Sequence, residues 1–358
     1  MLNIDFTEVL SKLAERSNLS LEESQKTFGA MLDGHVSSEA MAAFLMALRV
    51  KGTLREELLG AVKALRERMR PFPAVPKKAI DVCGTGGDRY GTLNISTAVA
   101  FILAGLGVPI VKHGNRAVSS RSGASDILSA LRVPFMLEPE AHVTLLREYR
   151  VIFLSASQYC PAMPAITAMR QALGIPTLFN IMGPLVNPAG VTRQLVGVFS
   201  CQWLEPMVDV LHTLGSDNVW TVCSMPLGKI RGVDELTLAG PTHVVALEHG
   251  RYSRFTIEPE MAGFTYAPIE ALKGGDPSYN AERLEALLRG AAGVYRDTVL
   301  LNAACALHVA GEISILRDGH IDPIALQQGV AMAAFSLDSG RAWAVLKGLR
   351  SFSTMMER

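Results

Sequence analysis

The run Asp81-Val82-Cys83-Gly84-Thr85-Gly86-Gly87-Asp88 sets three glycines within four residues, directly after an apolar, strand-like stretch. Glycines at that density let the backbone turn tightly and bare its N–H groups, and a helix start near Asn94 or Ser96 adds unpaired amides of its own. Such amides, facing a helix N-terminus, make a cradle for a phosphate-like anion. The spacing is not a dinucleotide fingerprint, because the third glycine of G-x-G-x-x-G would fall at Arg89, and the Gly-Lys-Ser/Thr of a P-loop is missing. A plain tight turn between strand and helix is the competing reading. Asn94, Ser96 and Thr97 contribute an amide and two hydroxyls to the first helical turn, as caps, as phosphate or metal contacts, or as both.

A second cluster, Lys112-His113-Gly114-Asn115-Arg116-Ala117-Val118-Ser119-Ser120-Arg121-Ser122-Gly123, follows the next strand-like run. Its cations, hydroxyls and glycines fall at the carboxyl end of a strand, where open α/β sheets bind ligands. Two such loops side by side would clamp a polyanion; a solvated basic loop is the alternative. The third cluster is Gly232-Val233-Asp234-Glu235. Its adjacent carboxylates suit Mg²⁺, which bridges protein carboxylates and substrate phosphates, although an Asp-Glu pair on an exposed turn is commonplace.

These clusters need a frame to hold them. Residues 5 to 70 show helical apolar spacing, with capping-box signatures at Ser20 to Glu23 and Thr53 to Glu56 and a break at Gly34, which predicts three or four helices. Arg70-Pro71-Phe72-Pro73-Ala74-Val75-Pro76 carries three prolines in seven residues and reads as a linker. Strand-like runs then alternate with helical ones: Ala79 to Cys83, Val108 to Lys112 and Val151 to Leu154 are strand-like, whereas Ile95 to Leu106, Ser125 to Leu131 and Pro161 to Gly174 are helical. Gln194 to Phe199, Asn218 to Cys223 and His243 to Leu247 continue the strands, and the chain from Ser278 onward is mostly helical. This alternation predicts an α/β fold with a central, largely parallel sheet flanked by helices. The expected division is a helical domain over 1–72, with a contribution from about 160–190, and an α/β catalytic domain over 73–358.

Bulk composition narrows the function. A chain of 358 residues, 49% hydrophobic and 19% charged, can bury a large core and is long enough for two domains. Lys plus Arg and Asp plus Glu both total 34, so no global basic field exists to attract nucleic acid. Cys83, Cys160, Cys201, Cys223 and Cys305 are odd in number and lack CxxC spacing, which suits reduced thiols in a cytosol and no zinc site. Asp5 and Glu8 argue against a signal peptide. The longest apolar stretch, Ile95 to Val111, is interrupted by Ser96, Thr97, Gly105, Gly107 and Pro109 and falls short of a membrane span.

Taken in order, Gly84-Thr85-Gly86-Gly87-Asp88, Asn94-Ile95-Ser96-Thr97, Lys112-His113-Gly114-Asn115-Arg116, Ser119-Ser120, Ser122-Gly123, Phe179-Asn180, Gly183-Pro184-Leu185 and Asn187-Pro188 resemble the anthranilate phosphoribosyltransferase family. The likeness runs from the N-terminal helices to Leu300-Leu301-Asn302-Ala303-Ala304. It implies a small helical domain beside a larger nucleoside phosphorylase/phosphoribosyltransferase-like domain, a homodimer formed through the helical part, and a cytoplasmic enzyme of tryptophan biosynthesis. It also implies that residues 84–88 with Asn94, Ser96 and Thr97 hold the diphosphate of phosphoribosyl pyrophosphate, and that Lys112, Asn115, Ser119, Ser120, Arg121, Ser122 and Gly123 contact the phosphoribosyl group. Ser96, Asp234 and Glu235 then meet Mg²⁺, while His113, Asn115, Cys160, Pro161 and Arg170 surround anthranilate, with Arg170 toward its carboxylate; a surface cation covering apolar neighbours is the competing reading of Arg170.

The chain departs from the family pattern where Cys160-Pro161 replaces a His-Pro pair, where Pro164 and Pro176 stand in place of basic residues, and where Met225-Pro226-Leu227-Gly228-Lys229 replaces a His-Gly before the carboxylates. A transferase using another aromatic or heterocyclic nitrogen acceptor is therefore one alternative. A pyrimidine nucleoside phosphorylase and a non-catalytic nucleic-acid-binding relative are others. An aryl amine is neutral near pH 7 and already nucleophilic, so no residue is assigned as general base, and catalysis should rest on positioning and on charge stabilisation of the departing diphosphate.

Overall fold

Short polar residues start the N-terminal helices. Asp5 caps Phe6–Ala14 by accepting from Thr7 and Glu8, Ser20 and Glu23 form a reciprocal capping box on Leu21–Leu32, and Ser37 caps Ser38–Lys51. Of the two capping boxes expected, the one at Thr53 to Glu56 is displaced by one residue. Helix Arg55–Arg66 begins after Leu54, whose N–H donates to Glu57 Oε2 at 2.8 Å. Glu57 is buried and also accepts from the Leu19 N–H at 3.0 Å and pairs with Lys51 at 2.9 Å, so tertiary partners select it over Glu56. Helices Leu21–Leu32 and Arg55–Arg66 cross at Gly60, where a Cβ would lie 2.5 Å from the Leu21 carbonyl oxygen.

The computed structural model describes residues 4–73, 75–114, 123–161 and 163–356. Beyond the linker the chain builds a seven-stranded sheet from β1 (Ile80–Gly84), β2 (Ile110–Gly114), β3 (Val151–Ser155), β4 (Arg193–Gly197), β5 (Asn218–Ser224), β6 (Thr242–Glu248) and β7 (Arg251–Ile257), in the spatial order β3-β2-β1-β4-β5-β6-β7. The first five strands are mutually parallel, and β6 and β7 extend the sheet as an antiparallel hairpin. Strand order reverses between β1 and β4, and the carboxyl end beside such a reversal is where open α/β sheets leave a crevice. β7 was not expected from the sequence. Its residues Arg251, Tyr252 and Arg254 are exposed, so it lacks the apolar run that marks the inner strands.

Two apolar clusters sandwich the sheet. One face packs on the helix Ile95–Gly105, apolar beyond Ser96 and Thr97 in its first turn, and on Val294–Ala310, Pro323–Asp338 and Arg341–Met356. The other cluster joins Cys83, Val196, Val219 and Val245 of the sheet to the N-terminal helices and to Ile166, Met169, Phe179 and Met182. Phe28 sits edge-on to both Phe44 and Phe179, at centroid distances of 5.3 and 5.8 Å, so segment 178–182 shares the core of the N-terminal helices. Among the described residues, no helix is long and apolar enough to cross a membrane.

Candidate active site

Residues 84–88 leave β1 as a loop that two neighbours fasten. The Thr85 N–H donates to the Gly197 carbonyl at 3.0 Å, and the Thr85 hydroxyl accepts from the Phe199 N–H at 3.2 Å. Gly86 and Gly87 have φ of +67° and +86°, the left-handed region that only glycine adopts without strain. Gly84 is small for a different reason: a Cβ there would lie 2.4 Å from Asp234 Oδ2. The Gly86 N–H donates to that same oxygen at 2.6 Å, so the loop and the Asp234–Glu235 segment form one unit.

The opposite wall begins at helix Ile95–Gly105. Asn94 occupies the N-cap position without bonding the helix through its side chain; its Oδ1 instead accepts from Asn280 at 3.0 Å. The first-turn amide of Ser96 donates to Glu235 Oε1 at 3.1 Å. Lys112, buried at the end of β2, sends its ammonium to the Ser96 hydroxyl at 3.0 Å and to the Val82 carbonyl. A cation is thus held on the cavity floor between the glycine loop and the helix start. Asp81 organises the base of the two strands: it accepts from the His113 N–H at 3.3 Å and from Asn187 Nδ2 at 2.9 Å, and the same Asn187 amide reaches the Val111 carbonyl at 2.9 Å. Burial raises the Asp81 carboxyl to about 6.

The glycine loop, the helix start and the end of β2 line a cavity of about 300 Å³. Gly84, Thr85, Gly86, Gly87, Asp88, Asn94, Ser96, Thr97, Lys112, His113, Gly123, Cys160, Arg170, Asp234 and Glu235 all reach it, so most residues singled out in the sequence meet at one place. Pro161 is exposed and does not line it. Asn115, Ser119, Ser120, Arg121 and Ser122 lie outside the described residues, as do Arg116 and the side chain of Pro164. Asp81 and Asn187 were not given roles from sequence, and Asn187-Pro188 within a recognised motif is the signal that pointed toward one of them.

His113, Arg170 and Cys160 line another part of the cavity. His113 donates its Nδ1–H to the Gly183 carbonyl at 3.3 Å, which leaves Nε2 as an acceptor with no hydrogen-bond partner among the described residues. Burial lowers its pKa to about 4, so the ring is neutral at pH 7. Arg170 is 8% exposed; its Nη2 meets Asn180 Oδ1 at 3.3 Å, and its guanidinium lies 5.7 Å from the centre of the Phe179 ring. Asn180 is fixed in turn by the Thr177 N–H at 3.0 Å. Cys160 is 2% exposed, and burial pushes its thiol up to about 12, so it is an inert apolar wall.

Asp88, Asp234 and Glu235 are crowded in low dielectric, and burial raises all three carboxyls above their usual range, Glu235 to about 8. Asp88 Oδ2 is buried with no hydrogen-bond partner among the described residues. Among the described residues no group of three or more His, Cys, Asp or Glu side chains forms a metal cage. Two oriented carboxylates and a nearby hydroxyl fit an ion that completes its shell with water and substrate phosphate, as Mg²⁺ does.

The family models agree with this layout. One described as the helical bundle domain of a glycosyl transferase family matches residues 7–69, and one described as the a/b domain of that family matches residues 76–343. The chain is 51% identical over 349 residues to an anthranilate phosphoribosyltransferase of Gluconobacter oxydans, covering 98% of this chain and 96% of the relative. It superposes on the crystal structure of anthranilate phosphoribosyltransferase from Thermus thermophilus with a TM-score of 0.84 at 36% identity, over 97% of this chain and 99% of that one. The Saccharomyces cerevisiae enzyme, whose structure is in complex with PRPP and Mg, gives a TM-score of 0.84 at 26% identity over 98% of each chain.

Proposed function

The chain belongs to the anthranilate phosphoribosyltransferase family, and on that premise we propose how its cavity divides between two substrates. The enzyme transfers the phosphoribosyl group of phosphoribosyl pyrophosphate to the amine of anthranilate and releases pyrophosphate. One observation carries the division: a glycine loop with Lys112 and a neutral His113 with Arg170 open into the same cavity. The first pair suits a polyanion and the second an aromatic acid bearing an amine.

In this reading residues 84–88, Asn94, Ser96, Thr97 and Lys112 hold the diphosphate and sugar phosphate, joined by Asn115, Ser119, Ser120, Arg121, Ser122 and Gly123. Asp234 and Glu235, with Ser96, hold Mg²⁺, an assignment supported by the Mg in the yeast complex. When bound, the ion neutralises charge on the leaving diphosphate. Lys112 adds a fixed positive charge beside the same oxygens, strengthened by its burial. His113 Nε2 accepts a hydrogen bond from the amine and turns its lone pair toward the anomeric carbon. Arg170 takes the carboxylate and sets the ring's orientation. The arylammonium that forms is acidic enough to lose its proton without a strong base.

We further assign residues 1–72 with about 160–190 to a helical unit and 73–358 to the catalytic domain. The shared core of the N-terminal helices with Phe179 supports this division. We assign the reaction to tryptophan biosynthesis in the cytoplasm and the protein to a homodimer. The test is pyrophosphate release from phosphoribosyl pyrophosphate and Mg²⁺ in the presence of anthranilate, beside a panel of other aryl and heterocyclic amines. Turnover with another amine and none with anthranilate would overturn the acceptor assignment.

A further inference from the structure

Two cysteines that stand 22 positions apart in the chain meet behind the donor half of the site. Cys201 opens the turn after β4 and Cys223 lies near the end of β5; their sulfurs are 2.7 Å apart and hydrogen-bonded. A disulfide bond is about 2.05 Å long, so the sulfurs need to close by less than an ångström. Cys223 is buried, whereas Cys201 is partly exposed and opens onto a surface groove of about 670 Å³ that is separate from the substrate cavity. A small oxidant reaches Cys201 by that groove. The neighbouring thiol holds the Cys201 pKa below its ordinary value, which raises the fraction of the nucleophilic thiolate.

Both sulfurs are wired to the donor site. Phe199, two residues before Cys201, donates its N–H to the Thr85 hydroxyl and backs Gly87 with its ring. On the other side, Cys223 Sγ presses on Gly232 so closely that a Cβ there would lie 2.5 Å away, and the next residue, Ser224, exchanges two hydrogen bonds with Val233, at 3.1 and 2.8 Å. Gly232 and Val233 lead directly into Asp234. Drawing the sulfurs together therefore pulls on the glycine loop through one residue and on the carboxylate pair through the other.

We propose that Cys201 and Cys223 are a redox-active dithiol, oxidised by a hydroperoxide to a disulfide that weakens the binding of phosphoribosyl pyrophosphate. The Cys201 thiolate attacks the peroxide, the O–O bond breaks, and a sulfenic acid forms. The Cys223 sulfur then displaces the sulfenic oxygen as water. In sum two thiols lose two protons and two electrons, and hydrogen peroxide becomes two waters. Intracellular disulfides are commonly transient and redox-sensing.

The effect on the donor rests on the division of the cavity proposed above, so the two readouts are kept separate. Full-length enzyme is treated with hydrogen peroxide, alkylated, and mapped under non-reducing conditions, while pyrophosphate release is followed before treatment, after it, and after dithiothreitol. The expected result is a peptide joined through Cys201 and Cys223, a severalfold rise in KM for phosphoribosyl pyrophosphate with KM for anthranilate unchanged, and recovery on reduction. Cys201→Ser should be as active as the untreated enzyme and lose both responses. Oxidation without that joined peptide overturns the proposal, as does a joined peptide with unaltered donor kinetics. An untreated enzyme that does not release pyrophosphate indicts the functional reading instead, because the peptide map does not depend on activity.

Discussion

The backbone N–H of Gly86 donates to Oδ2 of Asp234 at 2.6 Å, tying the loop after β1 to a carboxylate 148 residues later. Gly84 crowds the same oxygen, so Gly84→Ala should displace the Asp234 carboxylate and lower kcat/KM for phosphoribosyl pyrophosphate by roughly tenfold or more, about 1.4 kcal/mol. Gly86→Ala strains a backbone at φ +67° by about 1 kcal/mol and should raise the donor KM with less effect on anthranilate. Steady-state kinetics with each substrate varied will decide. Unchanged donor kinetics in both variants would reduce the loop to a turn.

Asp234 and Glu235 are each oriented by a backbone amide, from Gly86 and Ser96. Replacing them together, Asp234→Asn with Glu235→Gln, keeps acceptors for those amides and removes both ionisable groups. The Mg²⁺ titration of activity should move to higher concentration. A titration that superposes on that of the unaltered enzyme removes the pair from the metal site.

Arg170 is buried, lines the cavity and is held by Asn180. A charge-assisted hydrogen bond contributes about 1.5–3 kcal/mol, so Arg170→Ala should raise the anthranilate KM by roughly ten- to a hundredfold. Donor affinity, measured by calorimetry without anthranilate, should hold. Equal losses for both substrates would assign Arg170 to the fold.

Cys160 supplies a small, uncharged wall where the family pattern has histidine. The pocket should accept ring-methylated anthranilates, and Cys160→His should lower kcat/KM for those analogues more than for anthranilate itself. Parallel losses across the series would show that the residue at 160 does not shape the pocket.

His142 is buried and its pKa is lowered to about 4, because desolvation disfavours the imidazolium. The unfolded chain, with an ordinary histidine near 6.5, binds the proton first as pH falls. The native state is therefore unpenalised above about pH 6.5 and loses stability on descending toward pH 4, by on the order of 3 kcal/mol at the lower end. His142→Phe should remove this residue's share of the slope and leave that of His113. The check is the difference in unfolding free energy between the two proteins at pH 7 and pH 4.5, which should shrink or change sign on acidification.

The inner strands were legible because apolar runs bounded by Gly and Pro mark buried parallel strands, and the loop after β1 because three glycines so close together mark a tight turn. β7 was missed because Arg251, Tyr252 and Arg254 face water. The turn before it, His249-Gly250 with φ of +50° and +77°, carried the hairpin signal that its polarity hid. The shifted cap at Leu54 and Glu57 was set by Leu19 and Lys51, distant partners that no local window contains. The meetings of Asp81 with Asn187 and of Cys201 with Cys223 depend on how strands are ordered in the sheet, and local patterning is silent on that. The role given to Arg170 came from family resemblance alone, since a lone arginine on a helix has no chemical signature.

The outermost position of β7 bears on how the protein behaves in concentrated solution. A terminal strand offers unpaired backbone groups to any other exposed edge, the usual nucleus of sheet-to-sheet stacking. Here Arg251 and Arg254 flank Tyr252 along that rim, and Arg254 is anchored sideways by Glu205 at 2.6 Å. A second molecule docking edge to edge would have to desolvate these guanidinium groups. Polarity that made this strand hard to recognise thus doubles as its protection against aggregation.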